Sequence, residues 1–230
     1  AKALLYTHFN QKAEGLDLEA YKPGDKLIPF KVVGEYKGTD LVGMEYEQLI
    51  PWVKPVELDE KGQWIEAEKK AFRVIPGDYV TTEDGTGIVH IAPTFGADDA
   101  QVARAAGIPS LFMINQKGET RPMVNLTGKF YLMEELDADF VAQYIDADTY
   151  KEYEGRWVKN AYDPQFTVDG RFDEKAAAGA ESLDIYICMM LKAGNQVFKI
   201  EKHVHNYPHC WRTDKPVLYY PLDSWFIRST

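Results

Sequence analysis

The sequence predicts an α+β fold in which a β-barrel or folded sheet carries inserted helices. Many short runs of apolar or alternating residues end at glycine or proline, which is typical of short strands joined by turns. Helical periodicity is confined to few stretches, of which 173–193 is the most regular. With 230 residues, 45% of them hydrophobic, the chain is long enough to form one domain with insertions.

The individual elements follow from the residue pattern and from the residues that end each run. Helices are expected at the start of 1–15 and within 98–106, 134–153 and 173–193. The charged run 58–70 is interpreted as a solvated connector. Strands are expected at 26–34, 41–46, 71–75, 79–82, 88–92, 108–114, 128–131, 197–205 and 219–227.

Charge and composition narrow the class of protein. The net charge of −10 argues against a protein that coats nucleic acid by bulk attraction. Cys188 and Cys210 fit free thiols in a reducing compartment, and a single disulfide stays open. No apolar run approaches the length of a membrane span, so we expect a cytoplasmic protein without a membrane partner. The chain begins with Ala1 rather than methionine, so we expect a segment of a longer protein.

The most informative stretch runs from Thr81 to Gly107. A turn at 84–87 leads into a short strand, 88–92, which contains His90 and stops at a proline. A helix over 98–106 then follows, with Asp98 as its expected N-cap and Gly107 as its C-terminal stop. A histidine near a strand end therefore lies close in sequence to two aspartates at a helix start.

From spacing alone, two interpretations of these residues stay open. His90 could exchange a proton or bind a hydroxyl near neutral pH, or it could be a structural histidine. Asp98 fits a cap, which leaves Asp99 free to point into a pocket and pair with a substrate ammonium group. Thr81, Thr82, Thr86 and Thr94 surround the same strand, and each taken singly is interpreted as structural.

The sequence contains no clear motif for a metal site or for a protein nucleophile. His203, His205, His209 and Cys210 are ligand types close together, but position 213 is a threonine and four zinc ligands are not evident. We therefore predict no metal site. Walker, Rossmann and nucleophile-elbow motifs are absent, so any hydrolysis would use a positioned water rather than a protein nucleophile.

Three segments carry a family resemblance. The stretch GTGIVHIAPTFGADD at 85–99 closely resembles the editing domain inserted in class I isoleucyl-tRNA synthetases. GTDLVGMEYEQL at 38–49 and NYPHCWRTDKPVLYYPLDSWF at 206–226 agree with it. Related valyl and leucyl enzymes typically carry lysine or methionine where this chain has His90.

The resemblance implies a β-barrel-based editing domain over 1–201 and a return segment toward the synthetase core over 202–230. It implies hydrolysis of mischarged valyl-tRNA(Ile), with His90 and Asp99 as the catalytic pair. Asp99 would bind the substrate ammonium group, and His90 would contact the substrate near the ester and exclude isoleucine. Thr86, Gly87 and Asp98 complete the implied substrate-binding set.

The resemblance also implies which partners the chain has and which parts of the parent enzyme it lacks. The partners are the 3′ end of tRNA(Ile) and the rest of the synthetase chain. No cofactor is expected in this segment, since ATP and Mg²⁺ belong to the catalytic core, whose signatures are absent here. The threonine-rich peptide that lines the other side of the family's pocket is not found in this chain. The alternative is a non-catalytic tRNA-contacting module, favoured by Lys199, Lys202, Arg212 and Lys215.

Overall fold

The computed structural model of the chain describes residues 2–83, 86–202, 206–222, 225 and 227. The chain divides into two compact units, one within 1–48 and 72–91 and the other within 49–71 and 92–230. Helices and short antiparallel strands both occur, which confirms the predicted α+β class. The strands of the described residues form three separate two-stranded sheets, so the barrel stays a prediction.

The elements are short. The helices are α1 (Lys2–His8), α2 (Gly38–Leu41), α3 (Glu68–Ala71), α4 (Ala97–Ala106), α5 (Ala138–Tyr144), α6 (Ala147–Tyr150), α7 (Glu174–Ala177) and α8 (Leu183–Ala193). The strands are β1 (Val56–Leu58), β2 (Trp64–Glu66), β3 (Met113–Ile114), β4 (Thr120–Arg121), β5 (Thr167–Val168) and β6 (Arg171–Phe172). Among the described residues, no helix is long and apolar enough to cross a membrane.

The first unit contains α1 and α2 and little regular sheet. The strands predicted at 41–46 and 71–75 appear only as local pairing, in which Gly43 N–H donates to Val74 O at 2.9 Å and Val74 N–H donates to Met44 O at 2.9 Å. The strand predicted at 26–34 is wrong, because its backbone makes one isolated bridge, from Phe30 to Glu14. Its apolar residues also lack a cover, and Val33 is 92% exposed.

Three hairpins of the second unit are closed by the same five-residue turn. In each, an Asp or Asn oxygen accepts the backbone N–H groups two and four residues later, and a glycine with positive φ comes fourth. The side chain replaces the hydrogen bonds that the backbone cannot make in a tight turn. The turns lie at 59–63, 115–119 and 125–129. The charged run 58–70 is therefore a hairpin turn, β2 and α3 rather than a simple connector.

The described apolar core of the second unit is formed by residues distant in sequence. Segment 52–54 pairs with 144–146, where Lys54 N–H donates to Tyr144 O at 2.8 Å. The Trp52 ring lies 3.6 Å from the ring of Tyr153, centroid to centroid. Leu183 of α8 is buried in this core, and Tyr186, Ile187 and Met190 of the same helix pack against it, as the helical periodicity of 173–193 predicts.

The two long helices of the sequence prediction are each divided. Region 134–153 contains a 3₁₀ turn at Met133–Glu135, then α5 and α6, because Asp137 and Asp146 cap new helix starts. Region 173–193 contains α7 and α8, separated by Gly179 with φ 88°. Helix positions were predictable here, whereas the breaks depend on single capping residues.

Candidate functional site

A sharp corner before α4 positions the second predicted aspartate. Phe95 N–H donates to Ala92 O at 3.0 Å, which closes a turn over 92–95. The Thr94 hydroxyl donates to Leu111 O at 2.8 Å and ties this turn to the segment before β3. Thr94 is therefore structural, as expected from sequence.

Asp99 reaches back from α4 to this corner. Its Oδ2 atom accepts the Ala92 backbone N–H at 2.9 Å in a partly buried setting. Its other oxygen, Oδ1, has no hydrogen-bond partner among the described residues. One oxygen thus fixes the carboxylate and the other stays available for a ligand.

Gly96 makes room for this arrangement. A Cβ atom at position 96 would lie 3.1 Å from Asp99 Oδ2 and 3.2 Å from Asp99 Cβ, closer than ordinary contact. This role of Gly96 was not predicted from the sequence, although a glycine three residues before a carboxylate at a helix start is a local signal for it.

The helix boundary corrects the prediction for Asp98. The N-cap of α4 is Gly96, without a side-chain cap, and Asp98 is an exposed residue of the first turn. Asp98 and Asp99 both carry negative charge near the helix N-terminus, where the backbone N–H groups favour it. Gly107 ends the helix with φ 68° in the left-handed region, as predicted.

The strand predicted at 88–92 is wrong. The Thr86 hydroxyl donates to Ile88 O at 3.0 Å and accepts the Ile88 N–H at 3.2 Å, so these backbone groups are bonded locally. Ile88 is 62% exposed, His90 is exposed and Gly87 has φ 78°. Without a neighbouring strand among the described residues, the β-branched pattern has nothing to pair with. Asp84 and Gly85 of the predicted turn lie outside the described residues.

The predicted site residues belong to two units. Thr86, Gly87 and His90 belong to the first unit, and Asp98 and Asp99 to the second. The structure brings Asp98 and Asp99 together on the first turn of α4. The pairing of His90 with Asp99 stays a prediction.

The possible metal ligands give no site in the described part of the chain. His203 and His205 lie outside the described residues. His209 Nδ1 lies 2.9 Å from Tyr207 O, and the Cys210 thiol has its pKa lowered, chiefly by a hydrogen bond from the Thr213 side chain. No group of three or more metal-ligating His, Cys, Asp or Glu side chains occurs among the described residues.

Comparison with known proteins identifies relatives along the whole chain. No protein-family model matches it. All 230 residues match isoleucine–tRNA ligase of Bacteroides thetaiotaomicron at 78% identity, over 20% of that protein. The same enzyme of Bacteroides fragilis is 70% identical and that of Porphyromonas gingivalis is 55% identical, each matched over 18% of its length and the whole of this chain.

The chain thus spans about a fifth of the length of the curated relatives it matches. The segments 38–49, 85–99 and 206–226 resemble the same class of enzyme as these relatives. Over its whole length the chain is homologous to a segment of isoleucine–tRNA ligase, which confirms its resemblance to the isoleucyl-tRNA synthetases.

Proposed function

We propose that the chain is the editing segment of an isoleucyl-tRNA synthetase and hydrolyses mischarged valyl-tRNA(Ile). In this proposal the whole enzyme makes isoleucyl-tRNA(Ile) from isoleucine, ATP and tRNA. The support is the match to isoleucine–tRNA ligases along all 230 residues, together with the motif at 85–99.

The chemistry of amino-acid selection gives such an enzyme a reason for a second hydrolytic site. One methylene in an apolar pocket is worth only about 1–3 kcal/mol, a range for which isoleucine against valine is itself a standard example. Valine therefore passes the first selection too often. A separate hydrolytic site that excludes isoleucine's larger side chain removes the error.

The observation that carries the proposal is the setting of Asp99. Its Oδ2 atom is held by the Ala92 N–H at 2.9 Å, while Oδ1 has no partner among the described residues. A carboxylate fixed through one oxygen loses little freedom when the other oxygen binds an ammonium group. Asp99 is thus suited to anchor the α-ammonium group of an aminoacyl ester.

His90 and a water molecule complete the proposed reaction. In this proposal His90 contacts the substrate near the ester and excludes the extra methylene of isoleucine, and Thr86, Gly87 and Asp98 contribute to the pocket. Water attacks the ester carbonyl carbon, the bond to the ribose oxygen breaks, and valine and free tRNA leave. Positioning and electrostatic stabilisation supply the rate enhancement.

The finer structural predictions belong to the same proposal. They are the closed β-barrel, an editing domain over 1–201 and a return segment over 202–230. The 3′ end of tRNA(Ile) and the rest of the synthetase are the proposed partners, and the cytoplasm is the proposed location.

Two substitutions at Asp99 separate ammonium binding from a structural role. Asp99→Asn keeps an oxygen for the Ala92 N–H but removes the charge, whereas Asp99→Ala removes both. In a synthetase that carries this chain, we expect both variants to slow valyl-tRNA(Ile) deacylation by about 30-fold or more, the factor that ~2 kcal/mol gives. Single-turnover deacylation of labelled valyl-tRNA(Ile) measures this.

The Asn variant is decisive. If it deacylates valyl-tRNA(Ile) at the wild-type rate and Asp99→Ala does not, Asp99 acts only on the corner at Ala92 and the ammonium assignment is wrong. His90→Ala should raise the rate on isoleucyl-tRNA(Ile) relative to valyl-tRNA(Ile). An unchanged ratio would remove His90 from amino-acid selection.

A further inference from the structure

The turn before α4 is held to the core of the second unit by the side chain of Thr94. The Thr94 hydroxyl donates to Leu111 O at 2.8 Å, which is the usual length of an O–H···O hydrogen bond. Leu111 packs against the apolar core and lies two residues before Met113, the fully buried first residue of β3. The hydrogen bond therefore joins the turn to a segment whose position the core fixes.

A ring contact supports the same turn from the next residue. Phe95 packs against the core, and its ring centroid lies 6.5 Å from that of Tyr220 in an edge-on arrangement. The Tyr220 hydroxyl donates to Val124 O at 3.0 Å, so the Tyr220 ring is itself held in place. Thr94 and Phe95 thus attach two consecutive residues of the turn to separate segments of the second unit.

The same turn holds the backbone group that orients Asp99. Ala92 O accepts the Phe95 N–H at 3.0 Å, which makes Ala92 the first residue of the turn. The Ala92 N–H donates to Asp99 Oδ2 at 2.9 Å. Because Ala92 both begins the turn and donates to the carboxylate, the placement of the turn sets the direction of that donor.

Asp99 is fixed at its backbone by a different element. Helix α4 carries Asp99 in its first turn, and Ala103, one turn later, is 1% exposed. The helix therefore determines where the Asp99 side chain begins, and the turn determines where its carboxylate lies. Loss of the Thr94 hydrogen bond would leave the helix in place and loosen the turn.

We propose that Thr94 is a positioning residue for the Asp99 carboxylate. This inference rests on the proposed function, in which Asp99 binds the ammonium group of the aminoacyl ester. Thr94 does not contact the substrate: its bond to Leu111 O holds the turn, and the turn directs the Ala92 N–H toward Asp99. A carboxylate that is oriented before binding loses less conformational entropy when it engages the ammonium group.

Two substitutions at Thr94 test the hydrogen bond. Thr94→Val removes the hydroxyl and keeps a side chain of similar shape, whereas Thr94→Ser keeps the hydroxyl. In a synthetase that carries this chain, we expect Thr94→Val to lower the second-order rate constant of valyl-tRNA(Ile) deacylation about fivefold, the usual effect of one hydrogen bond. Thr94→Ser should restore the rate to within about twofold of the wild type.

The matched control is Thr149→Val, which removes another threonine hydroxyl that donates to a backbone carbonyl. Thr149 lies in α6, and its hydroxyl donates to Asp146 O at 3.3 Å. This variant should deacylate valyl-tRNA(Ile) at the wild-type rate. An equal loss in Thr149→Val and Thr94→Val would show that any such deletion slows the enzyme, and would overturn the proposal.

A double-mutant cycle with Asp99→Ala shows whether Thr94 acts through the carboxylate. In the Asp99→Ala background, Thr94→Val should change the rate by less than about twofold, because no carboxylate remains to be oriented. The same loss in both backgrounds would show a direct or a general effect of Thr94 and would overturn the proposal. If the Asp99→Ala enzyme is slow and the Thr94→Val enzyme is fully active, only the role of Thr94 is wrong. A wild-type rate in Asp99→Ala would overturn the ammonium assignment and this inference together.

Hydrogen exchange of the Ala92 amide gives a readout that does not depend on hydrolysis. In the full 230-residue chain, we expect this amide to exchange about fivefold faster or more in Thr94→Val, because a looser turn opens its bond to Asp99 more often. Thr94→Ser should leave the exchange rate unchanged. Unchanged exchange in Thr94→Val would show that the Thr94 hydroxyl does not hold the Ala92 donor, and would overturn the proposal.

Discussion

At the scale of single residues, both a turn and a packing contact depend on the absence of a Cβ atom at Gly128. Its φ of 83° lies in the left-handed region, and the Tyr162 ring occupies the space that a Cβ atom would need. Gly118 occupies the same place in the neighbouring turn with φ 76°, and nothing lies within 4 Å of its would-be Cβ. Alanine substitution at both glycines therefore distinguishes the cost of backbone strain, present at both, from the cost of steric overlap, present only at Gly128.

Alanine at these positions should therefore have unequal effects. We expect Gly118→Ala to lower the free energy of unfolding by about 1 kcal/mol, from backbone strain alone. Gly128→Ala should cost about 1–3 kcal/mol more, because the ring of Tyr162 must move. Urea unfolding of both variants measures the difference, and equal losses would contradict the contact between Gly128 and Tyr162.

Tyr162 itself gives a pH-dependent prediction. Burial, with a smaller contribution from Tyr207, raises the pKa of Tyr162 to about 12 from 10.0. A raised pKa in the folded state means that the stabilising contribution is complete below pH 10 and is lost as pH rises toward 12. The free energy of unfolding should therefore fall over this range.

Tyr162→Phe should reduce that fall. The Tyr162 hydroxyl is buried and has no hydrogen-bond partner among the described residues, so its removal should be neutral or stabilising at pH 7. Tyr219→Phe is the control, since Tyr219 is 53% exposed. Urea midpoints between pH 9 and 12 test this, and an unchanged profile in Tyr162→Phe would contradict it.

At the scale of elements, helix α5 begins at a side-chain cap. Asp137 Oδ1 accepts the Phe140 N–H at 2.8 Å, and Phe140 is a buried core residue. Asp139, in the same first turn, is exposed and makes no cap. We expect Asp137→Ala to lower the free energy of unfolding by about 1 kcal/mol and Asp139→Ala by a few tenths. Thermal unfolding measures both, and equal effects would remove the cap's role.

Helices were more predictable than strands in this chain. The spacing of Leu183, Tyr186 and Met190 indicates the core face of α8, and the structure confirms it. The hairpin over 56–66 was not predicted, because its charged residues are typical of a solvated connector. Asp59 and Gly62 indicate a hairpin only when the turn that they form is recognised. The dipeptide Asp169-Gly170, with φ values of 49° and 78°, was an equally local signal for β5–β6.

Strand prediction failed where apolar residues have no partner. Ile88 and Val33 are both β-branched, which favours a strand, yet both side chains are exposed in the structure. A strand needs a neighbour with matching free backbone groups, and sequence pattern alone does not supply one. For the candidate site, the family resemblance predicted the importance of Asp99. The hydrogen bond from the Ala92 N–H to Asp99, and the space that Gly96 leaves for the Asp99 side chain, are contacts that only the three-dimensional structure shows.

At the scale of the whole molecule, the two units bury very different amounts of apolar surface. In the described part of the first unit, Ala13 alone is a buried apolar side chain, and Tyr36 is 75% exposed. The second unit holds a connected core that includes Val53, Met113 and Tyr150. Local stability follows local burial, so the units should differ in protection from hydrogen exchange.

We expect amides of Lys54 and Tyr150 to exchange at least tenfold more slowly than those of Gly43 and Val74, after correction for intrinsic rates. All four amides donate backbone hydrogen bonds, so hydrogen bonding alone does not predict the difference. Hydrogen–deuterium exchange read by NMR or by fragmentation mass spectrometry resolves them. Similar protection in both units would contradict a link between core burial and local stability in this chain.

The pairing of 52–54 with 144–146 has a consequence for synthesis on the ribosome. Lys54 bonds Tyr144, which is translated about 90 residues later. At roughly 5–20 residues per second, Trp52 and Val53 leave the ribosome about 5–20 seconds before their partners exist. The hairpin at 56–66 closes locally in the meantime. These apolar residues therefore stay without their partners in the nascent chain for that interval, which makes them candidates for binding by a chaperone.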